Sequence, residues 1–186
     1  SIFIKGNKMK EKISNNPYDA NQQLIFRNST TSSPTIIIKI IYDNEKLINE
    51  NKEMIEIINI TKNCTAIKDH SFENYSSLQS IEIPTTITRI GSYSFSNCTS
   101  LRNITIPESI KELGDHSFEN CSSLQSFKIP KTVSKLGNYS FSCCSSLQKI
   151  EISESVITIG VGTFSKCSSL NEITIPSKIT ELKDST

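Results

Sequence analysis

Tryptophan is absent from this chain of 186 residues, and alanine and valine are scarce, with two and three copies. Alanine is the best helix former, so its scarcity argues against a helical protein. Isoleucine occurs thirty times and suits the pleated, half-buried surface of a β-sheet. The composition therefore favours strands and turns over helices.

Long apolar runs, a basic block and the apolar centre of a secretory signal are also missing. A membrane-spanning helix needs a continuous apolar run of about 18 residues or more, and the chain has none. Twenty Lys and Arg residues stand against nineteen Asp and Glu residues, which leaves a net charge of +1. That balance gives no electrostatic footprint for nucleic acid or for an anionic membrane. We therefore expect no nucleic-acid partner and no membrane insertion.

Phenylalanine recurs at a constant spacing of 23 residues, which is typical of a repeat architecture. The repeated phenylalanines are Phe72, Phe95, Phe118, Phe141 and Phe164. Three residues after the last four of them stand Cys98, Cys121, Cys144 and Cys167. Leucine, isoleucine, proline and glycine recur at further fixed offsets. We expect both the phenylalanines and the cysteines to enter the core, because side chains three apart in a tight turn share one face.

Each unit carries the pattern Leu-x-x-Ile-x-Ile, which predicts one short strand. The last two apolar residues are two apart, so they point to one side of the strand while the residue between them faces out. A proline follows in four units and ends the strand. Aliphatic residues three apart then return to the core along an irregular or 3₁₀-like path. A glycine before the next turn is expected to supply a backbone conformation that a Cβ would resist.

Such a unit cannot bury its own apolar side, whereas stacked units with parallel strands build a continuous core. The sequence therefore predicts a solenoid over residues 54–186, with one degenerate unit and five 23-residue units. In the degenerate unit, Thr61 replaces the proline and Lys68 replaces the glycine. An amphipathic helix through Leu47, Ile48, Met54 and Ile55 is the competing interpretation of its beginning.

Residues 1–53 do not carry the repeat, and we expect them to form a strand-rich N-terminal cap over the first edge of the solenoid. Predicted strands cover Ile2 to Lys5, Gln23 to Arg27 and Thr35 to Tyr42, and a short polar helix is a candidate near Lys8 to Ser14. At the other end nothing resembles a polar cap, which favours a longer array, or else self-association of the chain edge to edge.

The repeat resembles that of the BspA-like, or Treponema pallidum type, leucine-rich repeat proteins, and LRNITIPESIKELGDHSFENCSS at 101–123 shows the unit in full. Serine or threonine stands before each phenylalanine, where the family usually has alanine. The composition, rich in Asn, Ile, Lys and Ser, is similar to that of such proteins from protists such as Entamoeba. The resemblance implies a solenoid without enzymatic activity that binds proteins, in many members as a surface or adhesion protein.

The cysteines and histidines are weak candidates for chemistry. The repeated cysteines occupy one position per unit, which predicts buried, reduced thiols rather than disulfides or metal ligands. Cys143 is outside that series and is the thiol expected to be most exposed. His70 and His116 are repeat copies, and the adjacent Asp69-His70-Ser71 lacks the convergent geometry of a catalytic triad. We therefore assign no catalytic, cofactor-binding or metal-binding residue.

The outward strand positions are the candidate partner-binding face. They are Glu82, Asn103, Thr105, Lys128, Lys149, Glu151, Glu172 and Thr174. This face is polar and has no aromatic anchor; an ordinary solvated sheet face is the alternative interpretation. Tyr93 and Tyr139, at one repeat position, are aromatic candidates on another face.

Asn-x-Ser/Thr sequons begin at Asn28, Asn59, Asn63, Asn74, Asn97, Asn103, Asn120 and Asn138. Several of them lie inside the repeat, so we expect at most one or two to accept a glycan, and only in an exported chain. The sequence thus predicts a protein-binding module without a cofactor, at the cell surface by family analogy. An intracellular scaffold or regulatory subunit, for example a phosphatase-binding one, in the cytoplasm, is the alternative.

Overall fold

The computed structural model describes residues 39–42, 52, 56–60, 62, 64–179 and 181–182. In these residues it contains twelve short strands and no α-helix. The strands are β1 (Lys39–Tyr42), β2 (Ile57–Ile60), β3 (Ala66–Ile67), β4 (Ser80–Glu82), β5 (Arg89–Ile90), β6 (Glu112–Leu113), β7 (Ser126–Lys128), β8 (Lys135–Leu136), β9 (Lys149–Glu151), β10 (Thr158–Ile159), β11 (Glu172–Thr174) and β12 (Glu181–Leu182).

All strand pairs are parallel, and from β2 onward each pairs with its equivalent 23 residues along the chain, as Phe127 does with Ile150. The predicted strand of each unit forms one ladder, which consists of the sheet β1-β2-β4 and the sheet β7-β9-β11. Between these two sheets the coil at residues 101–107 makes only an isolated bridge, Glu82 to Thr105. The structure therefore confirms the predicted leucine-rich repeat solenoid.

A second strand in each coil was not predicted. It lies where the sequence analysis expected an irregular path, and it builds the six-stranded sheet β12-β10-β8-β6-β5-β3. Ile87 and Ile90 both point inward and are fully buried, while Arg89 between them faces out. The strand is only two residues long, so it shows too little alternation to be recognised in the sequence.

A third set of hydrogen bonds joins the tight turns of successive coils. The backbone N–H groups of His70, Phe72 and Asn74 donate to carbonyls of the next coil at 2.9, 2.8 and 2.8 Å. This arrangement places the first and last of these positions in the left-handed region, with φ of 59° at His70 and 66° at Asn74. In the described part of the chain, non-glycine residues adopt this φ at nine positions: His70, Asn74, Tyr93, Asn97, His116, Asn120, Tyr139, Cys143 and Lys166.

The repeated glycines serve close approach between coils. A Cβ on Gly114 would lie 2.5 Å from the backbone nitrogen of Ser92 in the preceding coil, and Gly91, Gly137 and Gly160 have equally close neighbours. None of these four glycines has a left-handed φ. The expectation that they supply an unusual backbone conformation is therefore wrong, and steric contact with the neighbouring backbone explains them instead.

The core contains a column of phenylalanines and, beside it, a column of cysteines. Phe72, Phe95, Phe118 and Phe141 are fully buried, and the ring centroids of successive members lie 5.1 to 5.4 Å apart. Cys98, Cys121 and Cys144 are also fully buried. Phe164 and Cys167, in the last described coil, are only partly buried. Each of these coils therefore stacks its repeated phenylalanine on those of its neighbours.

The described part of the N-terminal segment continues the ladder. β1 lies within the predicted strand Thr35 to Tyr42 and pairs in parallel with β2, so this pairing crosses the predicted division at residue 53. That division stays a prediction. The other predicted elements, at Ile2 to Lys5, Lys8 to Ser14, Gln23 to Arg27 and through Leu47 to Ile55, lie outside the described residues. Within the described residues no helix is long and apolar enough to cross a membrane.

Candidate functional site

The outward side chains of the first ladder form the strand face, and its eight predicted residues are all exposed. Alternation along each strand explains this, because the residue between two outward ones is buried, as Phe127 is between Ser126 and Lys128. The register of the ladder aligns equivalent residues of successive coils. One row contains Glu82, Thr105, Lys128, Glu151 and Thr174, and the other contains Asn103, Lys149 and Glu172.

Charges are distributed unevenly along the strand face. Lys149 Nζ lies 2.9 Å from Glu172 Oε1 and 3.8 Å from Glu151 Oε1. The hydrogen bond from Lys149 to Glu172, together with the negative charges of Glu172 and Glu151, raises the pKa of Lys149. Lys128 forms no ion pair with the described residues, so its charge is available to a partner. Exposed ion pairs contribute little to stability, and this arrangement is therefore more relevant to recognition.

Two shallow grooves border the strand face. The first, which we name the Asn103 groove, has a volume of about 540 Å³ and is lined by Glu82, Asn103 and Thr105 among others. It lies where the coil at residues 101–107 interrupts the ladder. The second, which we name the lysine groove, has a volume of about 560 Å³, and Lys128 and Glu151 are among the residues that line it.

The lysine groove lies beside the one unit in which serine replaces the proline. Ser153 occupies that position and accepts a hydrogen bond from the backbone N–H of Ser155 at 3.4 Å. Lys131 and Lys178 also line the groove, as does Glu154. Five of the eight predicted strand-face residues thus line one of the two grooves, whereas Lys149, Glu172 and Thr174 do not.

An aromatic column lies on the tight turns, with His70 and Tyr139 exposed and Tyr93 and His116 half-buried. The rings of His70, Tyr93, His116 and Tyr139 stack in this order, with centroids 4.9, 4.4 and 5.1 Å apart. At the next repeat position Gly162 makes room for the Tyr139 ring, because a Cβ there would lie 2.3 Å from that ring. The sequence analysis predicts the two tyrosines as aromatic candidates but does not include His116, which lies between them, or His70, which precedes them. The shared repeat position of all four residues was the available signal.

The adjacent Asp69, His70 and Ser71 do not converge on a common point. His70 Nδ1 lies 2.8 Å from Glu73 Oε2, and the Ser71 hydroxyl donates to the Lys68 carbonyl at 2.8 Å. Asp69 Oδ1 accepts a hydrogen bond from the Ser92 backbone N–H at 2.9 Å. The three side chains therefore point at different partners, and this geometry does not activate the serine as a nucleophile.

The four repeated cysteines donate their S–H groups to the phenylalanine carbonyls of the preceding coil. The distance is 3.2 Å from Cys98 to Phe72, and the other three pairs are equivalent, at 3.1 to 3.2 Å. Burial raises the pKa of the thiols of Cys98, Cys121 and Cys144, and raises the pKa of Cys167 to about 11.

Cys143 is half-buried, like Cys167, but its Sγ lies 3.6 Å from the Ser142 hydroxyl rather than against a phenylalanine carbonyl. All six cysteines are free thiols. In the described part of the chain no group of three or more His, Cys, Asp or Glu side chains could hold a metal ion.

Solved structures with a similar fold are bacterial leucine-rich repeat proteins. A protein from Bacteroides ovatus is 23% identical with a TM-score of 0.59, and 77% of this chain covers 42% of that one. A leucine rich cell surface protein from Faecalibacterium prausnitzii is 23% identical with a TM-score of 0.60, over 78% of this chain and 44% of that one. The leucine rich repeat protein of T. pallidum is 21% identical with a TM-score of 0.56, over 79% and 88%.

At these identities the structures show the fold alone, and the chain spans less than half the length of the B. ovatus and F. prausnitzii proteins. Because all three sources are bacterial, the resemblance to protist proteins stays a prediction. No curated protein matches the chain. The family model of the BspA type leucine rich repeat region, in six copies, matches residues 6–101 and 65–186. The chain therefore belongs to the BspA type leucine-rich repeat family.

Proposed function

We propose that the chain is a non-enzymatic module that binds a protein partner through the strand face, as a surface or adhesion protein. The observation that carries this proposal is the alignment of exposed, register-matched side chains beside two grooves. The core does not need these side chains, so their identities are free to serve recognition. The face has no aromatic anchor, and the partner is therefore expected to be held by charge and hydrogen bonds.

Placement at the cell surface is supported by one structural relative. The F. prausnitzii protein of similar fold is described as a leucine rich cell surface protein. A second function is favoured by the thiols: six free cysteines suit a reducing compartment, where disulfides are rare. The alternative proposal is therefore an intracellular scaffold or regulatory subunit that uses the same strand face.

Binding through the strand face can be tested by reversing one of its charges. Lys128→Glu is expected to weaken binding to a partner from a panel of purified extracellular-matrix proteins by about tenfold, because Lys128 lacks an ion pair with the described residues. Lys135→Glu is the matched control, since Lys135 is equally exposed but lies on β8 in the other sheet. Equal losses in the two variants, measured by biolayer interferometry, contradict the proposed face.

Compartment is tested on cells that make the protein. Antibody labelling of intact cells is expected to detect a surface protein, whereas labelling only after permeabilisation supports the intracellular alternative.

Edge-to-edge self-association stays a prediction. Ile173 and Ile175, which are 38% and 49% exposed, are the apolar side chains that it would use. Sedimentation velocity measures self-association directly, and the Ile175→Lys variant is expected to associate less than the unchanged chain.

A further inference from the structure

Five sequons begin at asparagines whose side chains the structure describes: Asn74, Asn97, Asn103, Asn120 and Asn138. A glycan attached to such an asparagine is bulky and must remain in solvent, so it is compatible with the fold only where the side chain is exposed and not needed elsewhere. The sequence pattern alone does not separate the five sequons. The structure distinguishes them by the hydrogen bonds of their side-chain amides.

Three of the asparagines form a ladder between coils. Asn97 Nδ2 donates to Asn74 Oδ1 at 2.8 Å, and Asn120 Nδ2 donates to Asn97 Oδ1 at 2.8 Å. The amide nitrogen that a glycan would occupy is therefore engaged at Asn97 and Asn120, and both side chains are partly buried. At Asn74 only the amide oxygen takes part in the ladder, but the residue lies in a tight turn with a φ of 66°, and Ser76, the hydroxyl residue of its sequon, is partly buried.

Both polar atoms of the Asn138 side-chain amide form hydrogen bonds, one with each neighbouring coil. Its Nδ2 donates to Asp115 Oδ2 at 3.3 Å, and its Oδ1 accepts a hydrogen bond from the Val161 backbone N–H at 2.9 Å. The side chain therefore joins the coil before it to the coil after it. A glycan on Nδ2 would have to displace this bridge from a partly buried position.

Asn103 lies outside both the asparagine ladder and the bridge made by Asn138. Its side chain is exposed and makes no hydrogen bond with any described residue. The coil around it is outside the continuous strands, because only Thr105 bridges to Glu82. Thr105, the hydroxyl residue of the sequon, is also exposed. Both groups that define the sequon thus face solvent in the open Asn103 groove.

We infer that, among these five asparagines, Asn103 is the one that accepts an N-glycan when the chain passes through a glycosylating secretory route. In the transfer, the Asn103 amide nitrogen forms a bond to the first sugar carbon of a lipid-diphosphate-linked oligosaccharide. The carbon–oxygen bond to the diphosphate breaks, the lipid diphosphate leaves, and the amide nitrogen loses one proton. The glycan then covers the Asn103 groove and leaves the lysine groove open, so it confines the partner to the second half of the strand face.

This inference rests on the proposed surface function for its relevance in the native cell, but it can be tested independently. The full chain is secreted from cultured eukaryotic cells behind an added signal peptide. The glycans are removed with peptide N-glycosidase in heavy-oxygen water, which labels each former glycan site. Peptide mapping is expected to find the label at Asn103, and intact mass is expected to show that Asn103→Gln removes the glycan while Asn138→Gln retains it.

Two outcomes overturn the inference: an unlabelled Asn103, or a folded secreted chain labelled at Asn74, Asn97, Asn120 or Asn138 instead. Circular dichroism of Asn103→Gln checks that the variant folds. The native protein separates the two proposals. Antibody labelling of intact native cells tests the surface function, and the secreted chain tests the acceptor site. A labelled Asn103 in the secreted chain, combined with a native protein found only inside the cell, supports the acceptor site and contradicts the surface function. An unlabelled Asn103 in the secreted chain, combined with a native protein at the cell surface, contradicts the acceptor site and leaves the surface function standing.

Discussion

The carbonyls of four repeated phenylalanines, Phe72, Phe95, Phe118 and Phe141, each accept two hydrogen bonds, and one of the two explains the repeated cysteine. The Phe95 carbonyl accepts from the Cys98 backbone N–H at 3.1 Å and from the Cys121 thiol at 3.2 Å. A small apolar side chain would fill the same space but would not donate a hydrogen bond to the phenylalanine carbonyl. The thiol therefore combines the packing of an apolar residue with a weak donor inside the core.

Removal of this thiol is expected to cost stability. Cys121→Ala loses the contacts of the sulfur and the hydrogen bond to Phe95, and we expect the free energy of unfolding to fall by about 2 kcal/mol. Cys143→Ala, at a half-buried position, is the control and is expected to change it by less than about 0.5 kcal/mol. Urea unfolding, followed by circular dichroism, measures the free energy of unfolding of both variants. Equal losses in the two variants would contradict a stabilising role of the buried Cys121 thiol.

The thiols are also expected to differ in reactivity. The thiolate is the reactive form, and burial raises the pKa of Cys98, Cys121 and Cys144. At pH 8, iodoacetamide should therefore modify Cys143 well before those three, with mass spectrometry of the peptides as the readout. In urea all six should react. Alkylation of Cys121 as fast as Cys143 in the folded chain would contradict the burial of the cysteine column.

At the scale of the element, the periodicity of the sequence was enough to predict the main strand of each unit and the stacking of coils. The alternation in Ile81 to Ile83 identified the strand, and the constant spacing identified the stacking of coils. The tight turns were predicted, but their left-handed φ values were not, because among the described residues nine of these values fall on His, Asn, Tyr, Cys and Lys and one on a glycine, Gly162. The strand face was located by the same alternation. The grooves beside it depend on where the ladder is interrupted, which no residue pattern specified.

The tight turn around Asn97 allows backbone strain to be separated from the asparagine ladder. Asn97 has a φ of 61° and both donates and accepts a ladder bond. Asn97→Ala loses these bonds and places a Cβ in the left-handed region, whereas Asn97→Gly loses the bonds alone. We expect the alanine variant to be less stable than the glycine variant by about 1 kcal/mol in urea unfolding. If both variants lose the same amount, the ladder and not the backbone dominates the turn.

At the scale of the whole molecule, a solenoid core repeats the same chemistry along its length, so the effects of its equivalent groups add. Four thiols with raised pKa values form one column, and Tyr75 at the head of that column has its pKa raised to about 12, mainly by burial. Because the groups are neutral in the folded chain, they do not affect the net charge at neutral pH. The thiols and Tyr75 affect the free energy of unfolding only at a pH where the unfolded chain releases protons that the folded chain retains.

This column predicts that the protein loses stability in alkaline solution. A thiol in the unfolded chain releases its proton near its ordinary pKa of 9.0, whereas the folded pKa of Cys167 is about 11 and those of the other three thiols are also raised. The stability contribution of the thiols is therefore complete below about pH 9 and is lost as the pH rises through the folded values. The urea midpoint should fall steadily between about pH 9 and pH 11. Cys121→Val removes one titrating thiol and should reduce this slope, while Cys143→Val should reduce it less. A midpoint that is constant over this range would contradict the raised thiol pKa values.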